Sequence, residues 1–339
     1  MQIRENISLK PYNTFGIDAK ATYFASFGGV DDLKELLEND KVGSQKLKLI
    51  LGGGSNILLT KDVDGIIMKN EISGVDVVEE DDDFVYVKAG AGENWHRLVM
   101  HCVNNGFAGM ENLSLIPGNT GASPMQNIGA YGVEIKDIFY SLEAFHLTDK
   151  ATVSFGLKEC EFGYRESIFK RKYKGQFVIT SVTFRLNKRP VFNTSYGAIQ
   201  QELQKMGIQE LSIKAISQAV INIRSSKLPD PKEVGNAGSF FKNPQVSKED
   251  FAQLQSQFPS IPSFPFDETH VKVPAGWLIE QCGWKGFRRG DAGCYPKQAL
   301  VLVNYGAAKG EDIYQLSEEI LQSVKAKFGI VLEREVNIL

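Results

Sequence analysis

Two glycine-rich stretches hold most of the residues whose types and spacing could do chemistry. Gly52-Gly53-Gly54-Ser55-Asn56 follows an apolar run, Leu47 to Leu51, that reads as a buried strand. Three consecutive glycines leave backbone N–H groups able to converge on an anion, because no side chain blocks close approach, and a diphosphate is the natural guest. The same pentapeptide also suits a tight turn with no ligand. The second stretch runs Leu115-Ile116-Pro117-Gly118-Asn119-Thr120-Gly121-Ala122-Ser123, then Gln126-Asn127-Ile128-Gly129-Ala130-Tyr131-Gly132. It combines many backbone donors with amide side chains, which suits a ring system needing hydrogen bonds along its edge and flat apolar contact on its face. Its bland alternative is a structural Ω-loop. Neither common phosphate fingerprint is present. Gly90-Ala91-Gly92-Glu93-Asn94-Trp95 puts Trp95 where the third glycine is needed, and no G-x-x-x-x-G-K-[ST] occurs. A dinucleotide bound here rests on neither a Rossmann nor a P-loop frame.

These stretches must be carried by a frame of mixed elements. Asp31 to Glu38, Glu93 to Val103, Ala198 to Met206 and Lys214 to Arg224 have helical spacing, as do Ala275 to Cys282 and Glu311 to Phe328. Strands are expected at Leu47 to Leu51, Phe84 to Ala89, Ser141 to Leu147, Phe177 to Leu186, Ala299 to Asn304 and Ile330 to Leu339, with short apolar runs at Ile57 to Leu59 and Gly65 to Met68. Between Gly106 and Gly132 no period is sustained, and a long glycine-punctuated loop in a compact domain is usually functional. Lys227-Leu228-Pro229-Asp230-Pro231 cannot continue a helix and marks a boundary. The pattern is α+β in two or three lobes, as a length of 339 residues also suggests.

Composition excludes several classes. A formal charge of −3 argues against a nucleic-acid-wrapping protein. Lys170, Arg171, Lys172 and Lys174 read as a solvated turn. The four cysteines, Cys102, Cys160, Cys282 and Cys294, show no metal spacing and read as free thiols of a reducing compartment. Met1 to Lys10 has no signal-peptide core, and no run is long enough to span a bilayer. A cytoplasmic protein with no metal, no membrane and no nucleic-acid partner is expected.

Beyond the two glycine stretches, Pro11-Tyr12-Asn13-Thr14-Phe15-Gly16, Phe162-Gly163-Tyr164-Arg165-Glu166-Ser167, the K-L-P-D-P turn and Asn236-Ala237-Gly238-Ser239-Phe240-Phe241-Lys242-Asn243-Pro244 follow in order. Together they resemble the UDP-N-acetylenolpyruvoylglucosamine reductases over essentially the whole chain. The resemblance implies FAD on the fold of vanillyl-alcohol-oxidase-type flavoproteins, in two subdomains, plus a C-terminal α+β substrate-binding domain. The boundaries then fall at 1–67 with 329–339, 68–228 and 229–328. It implies reduction of the enolpyruvyl ether of UDP-N-acetylglucosamine to UDP-N-acetylmuramate, with NADPH as reductant, for peptidoglycan synthesis. A monomer acting on small molecules is expected.

The resemblance also implies residue roles. Arg165 would bind the substrate carboxylate and stabilise the enolate formed when hydride arrives. Ser239 would donate the proton. Strand alternation puts Glu333 and Glu335 on one face without choosing between them; the family match selects Glu335, and Glu333 is otherwise solvent-exposed. Tyr164, Tyr196, Lys227, Asn243 and Gln298 would contact substrate, with Tyr196 on a covering loop. Gly52 to Asn56, Ile116, Pro117, Gly118, Gly121, Ala122, Ser123, Gln126, Asn127, Gly129, Ala130, Tyr131 and Arg224 would hold the flavin. Asn337 stands where relatives often carry arginine, leaving that flavin contact in question. None of His96, His101, His146 or His270 adjoins either glycine motif, so non-covalent FAD is expected. The rivals are another FAD-dependent oxidase or dehydrogenase of a sugar or hydroxy acid, and a nucleotide-sugar-binding regulator without catalysis.

Overall fold

The structure, a computed structural model, describes residues 2–43 and 46–339; Met1, at the head of the N-terminal stretch read above, lies outside them. The chain divides into two compact units, one made of Met1–Ile7, Ala21–Gly53 and Asp64–Ser226, the other of Ser8–Lys20, Gly54–Val63 and Lys227–Leu339.

The first unit contains an antiparallel sheet in the order Ala151–Gly156, Phe139–His146, Phe177–Asn187, Phe84–Gly90, Val75–Glu80. Alternation along Phe84–Gly90 buries Val85, Val87 and Ala89 and half-exposes the residues between them, as a sheet packed on one face requires. The helix Trp95–Asn104 buries Trp95, Leu98, Val99, Cys102 and Val103 in the core that includes this sheet. Asn94 caps the helix by accepting from Arg97 N. The cap is worth about 1 kcal/mol, whereas each large buried apolar side chain is worth roughly 1.5–3 kcal/mol, so packing is what holds the helix. A second sheet, in the order Arg4–Ser8, Lys20–Phe27, Val63–Asn70, Leu47–Leu51, delivers the chain to the G-G-G-S-N turn.

In the second unit, Gly235–Ser239, Val301–Asn304, Ala292–Cys294 and Arg288–Arg289 form an antiparallel sheet. The helix Gly310–Phe328 packs on it, burying Ile313, Leu316, Ile320, Val324 and Phe328. Two early segments complete this unit. Thr14 exchanges backbone hydrogen bonds with Gly54 and Asn236, and Asn304 Nδ2 donates to Phe15 O across 289 positions. Gly310 needs its missing side chain here, because a Cβ would lie 1.7 Å from Leu59 O.

Most expected elements form within a residue or two of their expected bounds. The C-terminal segment differs. In place of one strand from Ile330 to Leu339, it makes a single bridge, Arg334 to Phe241, and then a short parallel pairing of Asn337–Ile338 with Ile57–Leu58. The segment changes partner at Val336, so no continuous ladder forms. The first subdomain was expected to combine 1–67 with 329–339. In the structure, residues 57–58, which the C-terminus pairs with, themselves belong to the second unit. The helix Ile213–Lys227 stops before Pro229, as the boundary reading expected.

Candidate active site

In the first unit the two glycine stretches meet. A Cβ on Gly53 would lie 2.9 Å from both Gly118 Cα and Asn119 Oδ1, so the close approach of the loops requires glycine at 53. The segment Gly90–Trp95, rejected as a dinucleotide fingerprint, is what holds the second loop. Trp95 N donates to Gly118 O, Gly121 N to Ala91 O and Thr120 N to Glu93 O, while the Trp95 indole N–H donates to Leu113 O at 2.9 Å.

The loop is fixed in left-handed backbone at non-glycine positions. Leu115, Asn127, Tyr131 and Arg165 have φ of 58, 44, 51 and 54°. Each such residue costs on the order of 1 kcal/mol or more, and persists only where surroundings over-determine it. Asn127 is buried, and its amide nitrogen donates to Glu134 Oε2 and Gly163 O while its oxygen accepts from Lys136 N. The Asn127 side chain thus braces the loop from within. Asn112 Nδ2 donates to the carbonyls of Tyr131 and Asn193, and Asn193 Nδ2 donates to Gly132 O.

Arg165 sits at the tip of a tight hairpin closed by Gly163 and Glu166. Its Nη2 donates to Gly129 O at 2.8 Å, its guanidinium lies 5.4 Å from the Tyr164 ring centre, and its carbonyl accepts from Lys170 Nζ. Lys170 also pairs with Glu166, and Arg171 pairs with Glu161. Arg171, Lys172 and Lys174 are exposed in a turn, as expected, while half-buried Lys170 instead braces the arginine hairpin. Tyr196, 44% exposed, sets its ring edge-on to Tyr131 at 5.2 Å.

Arg224, half-buried, donates from Nε to Leu115 O at 3.1 Å and hydrogen-bonds Tyr131. Burial pulls its guanidinium below the ordinary arginine value, and burial pushes the Tyr131 phenol up. His96 accepts from Leu115 N at its Nδ1, 3.0 Å away. His96 therefore does adjoin the second glycine motif, contrary to the reading from sequence. The two are 19 positions apart in sequence and meet only because the loop folds back over the first turn of the helix.

In the second unit, Ser239 is exposed and ends the strand Gly235–Ser239, just after Gly238 with φ of 70°. The next residues run beside the C-terminal segment. Glu335 N donates to Phe240 O at 2.8 Å and Lys242 N to Glu333 O at 2.9 Å. Phe240 and Phe241 are fully buried and anchor this crossing. Ser239 and Glu335 are thereby brought onto neighbouring strands of chain. Glu333 is exposed, as expected, and its carboxylate also pairs with the Nζ of buried Lys242 at 2.6 Å. Asn243 Oδ1 accepts from Ala275 N, and Gln298 Oε1 accepts from Leu300 N at 3.4 Å, so both polar residues flank the helix Ala275–Gln281. Lys227 is exposed at the end of its helix. Asn337 donates to Asn56 O, and Asn56 Nδ2 to Glu335 O. The residue in the common arginine position thus braces the end of the glycine turn. An open groove of about 680 Å³ elsewhere in this unit, lined by Arg289, Asp291, Asp312 and Glu319, contains none of the expected site residues.

Asn112 was not named from sequence, His96 was named only to be set aside, and Lys242 was quoted within a motif without a role. Asn112 lies just before the second glycine stretch, and a polar residue flanking a glycine loop was the available signal. Among the described residues no cluster of His, Cys, Asp and Glu could hold a metal ion.

Residues 39–151 match the FAD binding domain family, and residues 230–339 match the family described as UDP-N-acetylenolpyruvoylglucosamine reductase, C-terminal domain. The chain is 54% identical over 340 residues to the UDP-N-acetylenolpyruvoylglucosamine reductase of Flavobacterium johnsoniae, covering 100% of both chains. Its fold superimposes on the crystal structure of the Thermus caldophilus UDP-N-acetylenolpyruvylglucosamine reductase with a TM-score of 0.69, at 25% identity and 99% coverage of each. A 4-ethylphenol oxidase from Gulosibacter chungangensis gives a TM-score of 0.52 at 11% identity, covering 98% of this chain and 84% of that one. The architecture is that of an FAD binding domain followed by a UDP-N-acetylenolpyruvoylglucosamine reductase C-terminal domain, on a fold shared with both solved structures. With both halves matched and full-length identity above one half, the chain belongs to the UDP-N-acetylenolpyruvoylglucosamine reductase family.

Proposed function

We propose that the protein reduces the enolpyruvyl ether of UDP-N-acetylglucosamine to UDP-N-acetylmuramate in peptidoglycan precursor synthesis, using bound FAD and electrons from NADPH. The observation that supports this reading is the hydrogen bond from Glu335 N to Phe240 O, by which the backbone at Glu335 runs beside the segment that begins at Ser239. The residues present fit the cofactor. Gly53 closes on Gly118, and Arg224 interacts with a tyrosine and a carbonyl, with no carboxylate among the groups that set its ionisation. A half-buried guanidinium so placed favours an anionic or electron-rich partner. FAD, when bound, supplies the hydride.

The chain's own residues do the rest. Gly52 to Asn56, Ile116, Pro117, Gly118, Gly121, Ala122, Ser123, Gln126, Asn127, Gly129, Ala130, Tyr131 and Arg224 hold the cofactor without a covalent bond. Buried Cys102, Cys160 and Cys294, with thiols pushed up to about 12 by burial, are unsuited to attachment. Arg165 binds the substrate carboxylate and balances the charge that develops on it. Ser239 gives a proton to the adjacent carbon; a serine hydroxyl is a weak acid, so tight positioning must compensate. Glu335 orders the polar contacts around the reacting carbons. Lys227 neutralises the diphosphate, Asn243, Gln298 and Tyr164 contact the substrate, and Tyr196 covers it. The protein works as a monomer in the cytoplasm, with no nucleic-acid or membrane partner. The small net charge argues against a nucleic-acid partner, and no described helix is long and apolar enough to cross a membrane.

The test follows flavin absorbance anaerobically. NADPH should bleach it and the enolpyruvyl ether of UDP-N-acetylglucosamine should restore it. Bleaching without recovery would discard the substrate. A protein that takes up no FAD would overturn the reading altogether.

A further inference from the structure

The Leu115 peptide is gripped from both sides. Its N–H donates to His96 Nδ1 at 3.0 Å, and its carbonyl accepts from Arg224 Nε at 3.1 Å. Between these contacts Leu115 holds a φ of 58°, which a leucine adopts only under constraint. The turn launches Ile116-Pro117-Gly118, whose last residue packs on Gly53. The hydrogen bond also settles the imidazole's state. Nδ1 must be an acceptor, so the ring is neutral and carries its proton on Nε2.

The surroundings keep it neutral. His96 lies in the first turn of the helix Trp95–Asn104, whose amide dipoles disfavour a cation. Arg224, from the helix Ile213–Lys227, is the charged group acting on the ring, and is itself bonded to Tyr131. Burial first, and Arg224 second, lower the imidazole below its ordinary value.

We propose that His96 is a positioning residue for the flavin loop: as a neutral acceptor it fixes the left-handed turn at Leu115, and its protonation releases that turn and loosens the cofactor. The proposal rests on the reading that residues 116–131 hold FAD. Protonation removes the only lone pair that Nδ1 can offer and places a second cation beside Arg224. The folded state prefers the neutral ring, so the contribution is fully present above the ordinary histidine range. It is lost as pH falls from that range through the lowered folded value.

The test uses the full chain as wild type, His96→Ala and His96→Asn. The Asn Oδ1 can take the place of Nδ1 as acceptor but does not titrate. FAD binding to the deflavinated protein is followed by quenching of flavin fluorescence at pH 7.5 and 5.5, and exchange of the Leu115 amide is followed in the same proteins without FAD. At pH 7.5 His96→Ala should bind FAD about tenfold more weakly and exchange Leu115 about tenfold faster, as loss of one hydrogen bond implies. His96→Asn should stay near wild type. Between pH 7.5 and 5.5 wild type should weaken further while His96→Asn does not. If His96→Asn matches His96→Ala, or keeps the wild-type pH dependence, the proposal is overturned. Should the protein take up no FAD, the exchange measurement still decides whether the clamp exists, so failure of the cofactor reading is told apart from failure of the clamp.

Discussion

The unit that holds Arg165 and the unit that holds Ser239 fix their site residues by different means. All seven non-glycine residues with positive φ among the described residues lie in the first unit, four of them in or beside the glycine loop and the arginine hairpin. There, side chains hold the backbone where it would not rest, with Asn127, Asn112, His96 and Arg224 each bonded to main-chain groups. In the second unit the N-A-G-S-F-F-K-N-P segment turns left-handed at Gly238, where glycine adopts that conformation at no steric cost, and the C-terminal segment pairs alongside it. Side-chain loss should therefore damage scaffold in the first unit, and damage chemistry more than scaffold in the second.

The largest expected effect sharpens the chemical side. Ser239→Ala should leave reduction by NADPH nearly intact while slowing reoxidation by substrate by roughly 10³-fold, the scale of a lost general acid. Stopped-flow measurement of the two half-reactions checks this, and equal slowing of both would recast the serine as a ligand-positioning group. Next comes Asn127→Ala. Three part-buried hydrogen bonds of a buried side chain vanish and left-handed backbone loses its brace, so unfolding in denaturant should show a loss of about 3 kcal/mol. A loss under about 1 kcal/mol would break the contrast between the units. Lys242→Met should cost less, about 1 kcal/mol or below, because Glu333 is 69% exposed and water can take over its charge. A cost near that of Asn127→Ala would mean that the ion pair, rather than the backbone pairing, holds the second unit's segment. The smallest effect is Glu111→Gln. Burial pushes this carboxyl up, so its stabilising protonated form is lost as pH rises through the raised folded value. The variant keeps an acceptor for Gly109 N and should melt slightly higher than wild type at pH 8, with the gap closing at pH 5. A gap that widens on acidification would contradict the cause assigned to the shift.

What could be read from sequence had a local cause. The helix Trp95–Asn104 announces itself by apolar residues at 95, 98, 99, 102 and 103, and the strand Phe84–Gly90 by alternation. The glycine loops stand out because their spacing has no period. The approach of His96 to Leu115 has no local signature, since it depends on a loop returning across 19 positions. The C-terminal segment looked like one strand because alternation says nothing of a change of partner at Val336. Lys170 looked solvated because its partners, Glu166 and the Arg165 carbonyl, become neighbours only when the hairpin closes. The roles of Arg165, Ser239 and Glu335 came from family resemblance, since Arg165 and Ser239 taken alone read as a surface ion-pair member and a turn residue, and alternation does not choose Glu335 over Glu333.

The second unit's composition has a consequence for biogenesis. Its early segments, Ser8–Lys20 and Gly54–Val63, leave the ribosome long before Lys227–Leu339, and their hydrogen bonds to it reach across 222 to 289 positions. During synthesis those segments wait unpaired while the intervening stretch Asp64–Ser226 is complete and free to collapse on its own sheet. Nascent chains halted after the first unit should thus be protected from proteolysis across 64–226 yet cleavable at 8–20 and 54–63, with resistance at those two sites arriving only on release of the finished polypeptide.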